Sequence, residues 1–314
     1  MIDKRSDLKL SIVATLYRSS DTIVEFTRRC FTAAEALFQD IELVLVNDGS
    51  PDDSLQKALM LYESDPRIAI VDLSRNFGHH RAIMTGLAEA TGELIFLIDS
   101  DLEEDPEFIT PFFERMQQTG TDVVFGVQAT RKGSLFERVS GEAFFWLANS
   151  LSNQKLPPNS ITARLMTRDY VNALVEHRQR ELTLGHLFVM VGFSQTPYVV
   201  TKHSNSPTTY SLARRVDMAV RYISTNSDKL LYIILFIGIA VSGISAIAIV
   251  YLIVHYLISR VSVDGWTSVI VSVWFFGGLI SLILGIFGMY VANILSESRS
   301  SPYTIVRRIH RRSK

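Results

Sequence analysis

Gly92-Glu93-Leu94-Ile95-Phe96-Leu97-Ile98-Asp99-Ser100-Asp101 is the stretch on which the fold turns. Its five consecutive apolar residues, β-branched or aromatic at three positions, read as a buried strand, and two carboxylates one residue apart stand where that strand ends. Carboxylates are hard oxygen ligands suited to Mg²⁺ or Mn²⁺, and an ion held by one or two of them keeps positions that substrate phosphates fill. This is a nucleotide-diphosphate site in outline. The bland alternative is a solvated acidic turn, because Glu103, Glu104, Asp105 and Glu107 follow and Pro106 suits the start of a helix. A calcium-binding EF-hand is excluded: its sixth position, which needs Gly, is Glu104, and its twelfth, which needs Glu, is Thr110. An aspartyl nucleophile of the phosphatase kind stays open, although the pair follows three earlier strands.

Upstream, residues 10–16 (LSIVATL) read as a first strand, 22–37 as a helix, and 42–47 (ELVLVN) as a second strand ending in the turn signal Asp48-Gly49-Ser50-Pro51-Asp52-Asp53. Residues 55–62 suit a helix and 68–73 a third strand. Strand alternating with helix implies a parallel sheet whose ligand lies beyond the carboxyl ends of the strands, where Asp48 and the Asp99/Asp101 pair fall. Arg75-Asn76-Phe77-Gly78-His79-His80-Arg81 then leads into a helix; Gly there lets backbone approach a ligand, and Arg or His there suits a phosphate. His79 and His80 read first as surface or packing residues.

Downstream, 106–118 is a helix, 122–127 a fifth strand, and Arg131-Lys132-Gly133 a basic loop that either closes over a diphosphate or is simply solvated. Residues 136–151 read as a helix, Leu156-Pro157-Pro158-Asn159-Ser160 as a break before the segment 161–166, 168–175 as a helix, and 196–202 as the final strand. Leu212, Val216, Ala219, Val220 and Ile223 recur at helical spacing with Arg214, Arg215 and Arg221 on other faces, the pattern of an interfacial amphipathic helix.

At 314 residues the chain suits one large domain or two smaller ones, and a formal net charge of -1 gives no reason to invoke nucleic acid. Residues 230–259 and 265–296 contain no Asp, Glu, Lys or Arg, and each run exceeds the roughly 20 residues a helix needs to cross a bilayer. Two transmembrane helices joined by Arg260-Val261-Ser262-Val263-Asp264 are therefore expected, with a buried soluble hairpin as the alternative. Arg299, Arg307, Arg308, Arg311, Arg312 and Lys314 follow, and the positive-inside rule puts that tail in the cytoplasm with the N-terminal domain. The first ten residues are charged and carry no apolar run, so no signal peptide is expected; the single Cys30 makes no intramolecular disulfide, and no Cys/His cluster has zinc spacing.

These residues resemble the polyprenyl-phosphate glycosyltransferases of glycosyltransferase family 2, the bactoprenol glucosyltransferases and, more distantly, the dolichyl-phosphate mannose synthases. The resemblance covers nearly the whole chain and rests on Val46-Asn47-Asp48-Gly49-Ser50, Arg75-Asn76-Phe77-Gly78, the run from Gly92 to Asp101 with Pro106, and Thr209-Tyr210-Ser211-Leu212 before the apolar runs. It implies a GT-A fold, Mn²⁺ or Mg²⁺, a nucleotide sugar with UDP preferred, inversion, a polyprenyl phosphate acceptor such as undecaprenyl phosphate, the cytoplasmic (inner) membrane of the cell, and a homo-oligomer. Carried over by motif, Thr15, Tyr17 and Asp48 would line the base pocket, Asp99 would hold the ribose or sugar side, and Asp101 the metal and diphosphate. Arg81 would contact donor phosphate, and Arg131 and Lys202 the acceptor phosphate; Arg214 and Arg215, on the interfacial helix, are further sources of positive charge for the acceptor phosphate. The chain departs from the family pattern at Thr15, Arg18, Gln128 and Thr209, and at Thr162-Ala163-Arg164, where the pattern has Asp-Phe-Arg.

The loss of that acceptor-side carboxylate is consistent with chemistry needing no protein base. A phosphate monoester is already anionic near neutral pH, its second pKa being about 6, so it needs only positive charge, with Arg164 as one source. The resulting division is a catalytic domain at 1–204, an interfacial segment at 205–228, a two-helix hairpin at 229–297 and a basic tail at 298–314. The fold class is α/β, a GT-A-type mostly parallel sheet followed by the interfacial helix and two spans. A processive polysaccharide synthase and a non-catalytic membrane scaffold are the competing readings; the former needs a Gln-x-x-Arg-Trp segment, and no Arg-Trp occurs.

Overall fold

The computed structural model describes residues 6–128, 157, 159–177, 184–201, 265–298 and 302–312, with single positions between 232 and 258. Eight strands form one sheet in the order β7-β5-β6-β4-β1-β2-β3-β8. They are β1 (Leu10–Leu16), β2 (Ile41–Asn47), β3 (Ile68–Leu73), β4 (Leu94–Leu97), β5 (Val123–Gln128), β6 (Ser160–Thr167), β7 (Gln195–Val200) and β8 (Val306–His310). Four of the seven neighbouring pairs are parallel; β6 runs against both β4 and β5, and β8 against β3. The result is the GT-A-like α/β arrangement, mixed rather than purely parallel.

Continuous apolar strands form because both sheet faces are covered. Leu10, Ile12, Ala14 and Leu16 of β1 and Leu43 and Leu45 of β2 pack on one face with α1 (Ile23–Glu35). A short 3-10 turn, Pro106–Phe108, leads into α4 (Ile109–Thr119), which covers that face through Phe112, Phe113 and Met116. The intervening Val13, Val44 and Val46 face the other way, toward α3 (His79–Glu89), α5 (Arg168–Glu176) and α6 (Leu184–Met190). Gly86 lets α3 approach closely, since a Cβ there would meet Val13 Cγ1 at 2.6 Å and Val46 Cγ2 at 2.8 Å. The helix α2 (Ser54–Ser64) follows the Asp48 turn.

Strand direction decides what meets at the edge carrying the acidic pair. The carboxyl ends of β1, β2, β3 and β4 point there together, and the registers bring the carboxyl ends of β5 and β7 to the same edge. The reversed strands β6 and β8 enter at that edge with their amino ends.

The expected final strand at 196–202 is β7, but it is not final. Residues 306–310, read above as part of a basic tail, form β8 on the open edge of β3. Arg307 sits 3.5 Å from Asp72 and donates to Ser74 O, Arg311 sits 3.6 Å from Glu89, and Arg312 donates to Glu63 O. Their charge is thus partly spent on the domain, which sequence alone does not reveal. Residues 301–314 belong to the same compact unit as the sheet, whereas 210–300 belong to a second unit.

In that second unit α7 (Trp266–Ser298) carries the apolar stretch Ser272–Ala292, with mean hydropathy 2.1 and none of it buried within the chain. Among the described residues it is the one helix long and apolar enough to cross a membrane. The described positions between 232 and 258 are helical, but half of the first expected span lies outside the described residues, as do the 136–151 helix, the interfacial helix and the 260–264 connection.

Candidate active site

Two short motifs that are distant in sequence interlock at the catalytic edge. The Asp48 carboxylate accepts the backbone N–H of Phe77 at 2.7 Å through Oδ1 and that of Gly78 at 3.0 Å through Oδ2. Burial raises its pKa, against the pull of those two N–H groups. Gly49 has φ +59°, and a Cβ there would lie 2.5 Å from Asn76 N and 2.6 Å from Arg75 C. Gly49→Ala therefore combines left-handed strain with a backbone clash and should destabilise by more than about 1 kcal/mol, read as a lower melting temperature together with weaker nucleotide binding. Asn47 Nδ2 donates to Asp72 Oδ1 at 2.7 Å, completing the link between the ends of β2 and β3.

The acidic pair is held by the serine between its members. Ser100 Oγ donates to Thr15 O at 2.7 Å and lies 2.9 Å from Ser19 Oγ, while Thr22 Oγ1 donates to Ser100 O at 2.7 Å. Ser100 is buried, whereas Asp99 beside it is partly exposed and Asp101 exposed. Asp101 is exposed and its Oδ1 accepts the N–H of Glu103 at 2.9 Å. Asp99 Oδ1 lies 3.3 Å from His79 Nε2, outside hydrogen-bond geometry, and is a buried oxygen without a hydrogen bond among the described residues. Arg18, Leu102 and Asn159, three non-glycine residues in the left-handed region (φ 57°, 59° and 58°), all flank this edge.

A divalent cation fits this arrangement in its donor chemistry. Asp99 offers a partly buried carboxylate and Asp101 an exposed one, both hard ligands. Among the described residues no group of three or more His, Cys, Asp or Glu is placed to hold a metal ion.

A cavity of about 420 Å³ opens beside the pair, lined among others by His79, His80, Asn159, Ser160, Thr162 and Arg164. Reversal of β6 puts it there: Leu97 of β4 pairs with Arg164, so residues 160–163 run alongside the acidic loop. Arg164 is 4% exposed; it donates to Thr162 O and Ile161 O at 3.2 Å each and lies over the Phe188 ring. Burial lowers its pKa to about 10, with Tyr170 and Glu104 pulling the other way, so it is a cation at neutral pH. Glu104, which sequence reading passed over as part of an acidic run, is fully buried and accepts the N–H of Thr162 at 3.1 Å and of Ala163 at 2.8 Å. A carboxylate from the acidic loop thus stands against the segment where the family pattern has its own, but its oxygens are engaged by backbone. The signal for Glu104 in sequence was faint: an acid three residues past the pair with no visible partner.

The structure brings together Thr15, Tyr17, Asp48, Asp99, Asp101 and Arg164 at one edge. Thr15 is buried, its Oγ1 3.1 Å from His79 Nδ1; Tyr17 is 47% exposed beneath the Arg18 guanidinium. Arg81 lies in the first turn of α3 and is partly exposed. Arg131, Lys202, Arg214 and Arg215 lie outside the described residues, as does the Thr209-Tyr210-Ser211-Leu212 motif.

The model of glycosyl transferase family 2 matches residues 11–177, the span that holds every described element of this edge except α6, β7 and β8. The chain belongs to glycosyltransferase family 2. A Mycobacterium tuberculosis (strain CDC 1551 / Oshkosh) protein named as a glycosyltransferase is 45% identical over 303 residues, covering 96% of this chain and 89% of its own. The Escherichia coli (strain K12) prophage bactoprenol glucosyl transferase homolog is 29% identical over 305 residues, covering 96% and 99%. The bactoprenol glucosyl transferase of Shigella phage SfII is 28% identical over 308 residues, covering 97% and 99%. With 96–97% of the chain covered, the similarity to these relatives extends well beyond the span 11–177 that the family matches.

Proposed function

We propose that this glycosyltransferase moves a sugar from a nucleotide diphosphate, UDP being the preferred nucleotide, to a polyprenyl phosphate at the cytoplasmic face of a membrane, with inversion. The observation that carries the lipid acceptor is where the chain leaves the sheet. β7 ends and β8 begins at the edge holding Asp99 and Asp101, so residues 201–305, which include the apolar α7, depart from and return to the catalytic edge. In this reading α7 and the uncharged run at 230–259 make two crossings, and the chain returns to the unit it left. Full-length relatives named for bactoprenol, a polyprenyl acceptor, support the same reading.

In this reading the base lies by Tyr17 and the Asp48-held turn, with Thr15 behind, and the donor phosphates face Asp99, Asp101 and Arg81. A cation held by Asp99 and Asp101 would offset the charge that develops on the departing diphosphate. The acceptor phosphate enters the 420 Å³ cavity, where Arg164 holds it, with Arg131, Lys202, Arg214 and Arg215 as further candidates. One of its oxygens attacks the anomeric carbon as the bond to the β-phosphate oxygen breaks; no proton needs to move, so no protein base is required.

Incubating the purified enzyme with a panel of nucleotide sugars and a polyprenyl phosphate, and weighing the lipid, tests this directly: one added sugar per lipid is expected, while polymer or an unmodified lipid refutes it. Arg164→Ala should raise KM for lipid phosphate about 10- to 100-fold, the worth of one hydrogen bond to a charged group, while UDP affinity, measured calorimetrically, stays put. Since Arg164 is a cation below about pH 10, acceptor KM in the wild type should not change through Arg164 at neutral pH and should rise as pH passes that value.

A further inference from the structure

We infer that His79 is a positioning residue for Asp99; this rests on the nucleotide-sugar reading above. His79 opens α3 directly after Gly78, whose φ of +99° turns the chain at that point. Its ring bridges two strands: Nδ1 lies 3.1 Å from Thr15 Oγ1 at the end of β1, and Nε2 lies 3.3 Å from Asp99 Oδ1 just beyond β4. Thr15 is buried and cannot move far. When its hydroxyl donates to Nδ1, the ring proton sits on Nε2 and points at Asp99, the tautomer that the geometry favours.

Asp99 Oδ1 is the oxygen that needs it, being buried and without a hydrogen bond among the described residues. A shift of a few tenths of an ångström closes that bond, in keeping with the long contacts of ligand-free sites. Oδ1 is then held by His79, which sets the plane of the carboxylate and leaves Oδ2 for the cation and nucleotide. Partners of ligating groups in this position are typically worth about 10- to 100-fold in affinity or activity. An ordinary helix-start histidine, with a side chain 46% exposed, would be worth nothing measurable.

The test is calorimetric titration of UDP into the full-length detergent-solubilised protein, with and without Mn²⁺, alongside melting temperatures. His79→Ala should weaken UDP binding in Mn²⁺ about 10- to 100-fold, weaken it far less without Mn²⁺, and leave the melting temperature unchanged. His79→Gln, whose amide nitrogen reaches the place of Nε2, should restore binding to within a few-fold. His79→Asn, which reaches only the place of Nδ1, should behave like His79→Ala. Unchanged binding in His79→Ala, equal losses in the Gln and Asn variants, or a melting temperature that falls with each variant overturns the inference. A wild type that binds no UDP in Mn²⁺ refutes the nucleotide reading and takes this inference with it.

Discussion

Removing residues 301–314 will destabilise the catalytic domain by about 3–5 kcal/mol, even though those residues lie 200 positions from the acidic pair. The loss comprises the four-pair ladder between β3 and β8, at about 1 kcal/mol net per hydrogen bond, and the contacts of Arg307, Arg311 and Arg312. Domain stabilities are only about 5–15 kcal/mol, so this is a large fraction. Deletion also bares the apolar β3 (IAIVDL) as an open edge, a template for aggregation. A melting temperature lower by about 10 °C and a shift to large species on size exclusion are expected. Arg307→Ala alone should cost only about 1 kcal/mol, because it removes the contacts of one largely exposed guanidinium, with Asp72 and Ser74 O, and leaves the ladder. A truncated protein that melts like the full chain would show that β8 adds nothing to the sheet.

Asp101→Asn will reduce kcat by about 10²- to 10³-fold while the melting temperature stays within a degree or two. The substitution keeps the volume, the side chain is exposed, and what is lost is a charged oxygen where the leaving diphosphate gathers charge. Asp99→Asn should match it in kcat. Excess EDTA should silence the wild type, and Mn²⁺ or Mg²⁺ should restore it. Full activity of Asp101→Asn, or of wild type in EDTA, would rule out the cation at this pair and leave Asp101 as part of a solvated acidic turn.

The parallel half of the fold was legible because its signals are local. Runs such as LSIVATL and ELVLVN are apolar at every position that two covered faces require, and Asp48-Gly49-Ser50 and Asp99-Ser100-Asp101 announce where strands stop. The family resemblance carried the same conclusion to the level of chemistry. The strand at 160–167 was not legible as such, since an antiparallel strand returning from a long excursion has no sequence mark of its partner. The strand in the tail was hidden for a related reason: Arg307, Arg311 and Arg312 read as a basic cytoplasmic tail, and only the sheet supplies Asp72, Ser74, Glu89 and Glu63 to meet them.

The sequence by itself determined the strands and helices from residue 10 to residue 127, the acidic pair at a strand's end, the family, and two uncharged runs near the C-terminus. Only the tertiary structure decided that β6 runs backward and brings Arg164 beside the pair, that Glu104 meets Thr162 and Ala163, that His79 bridges Thr15 and Asp99, and that β8 closes the sheet. Each of these joins residues far apart in the chain through strand direction and register, which hydrophobic pattern and turn chemistry leave open because they act over only a few residues.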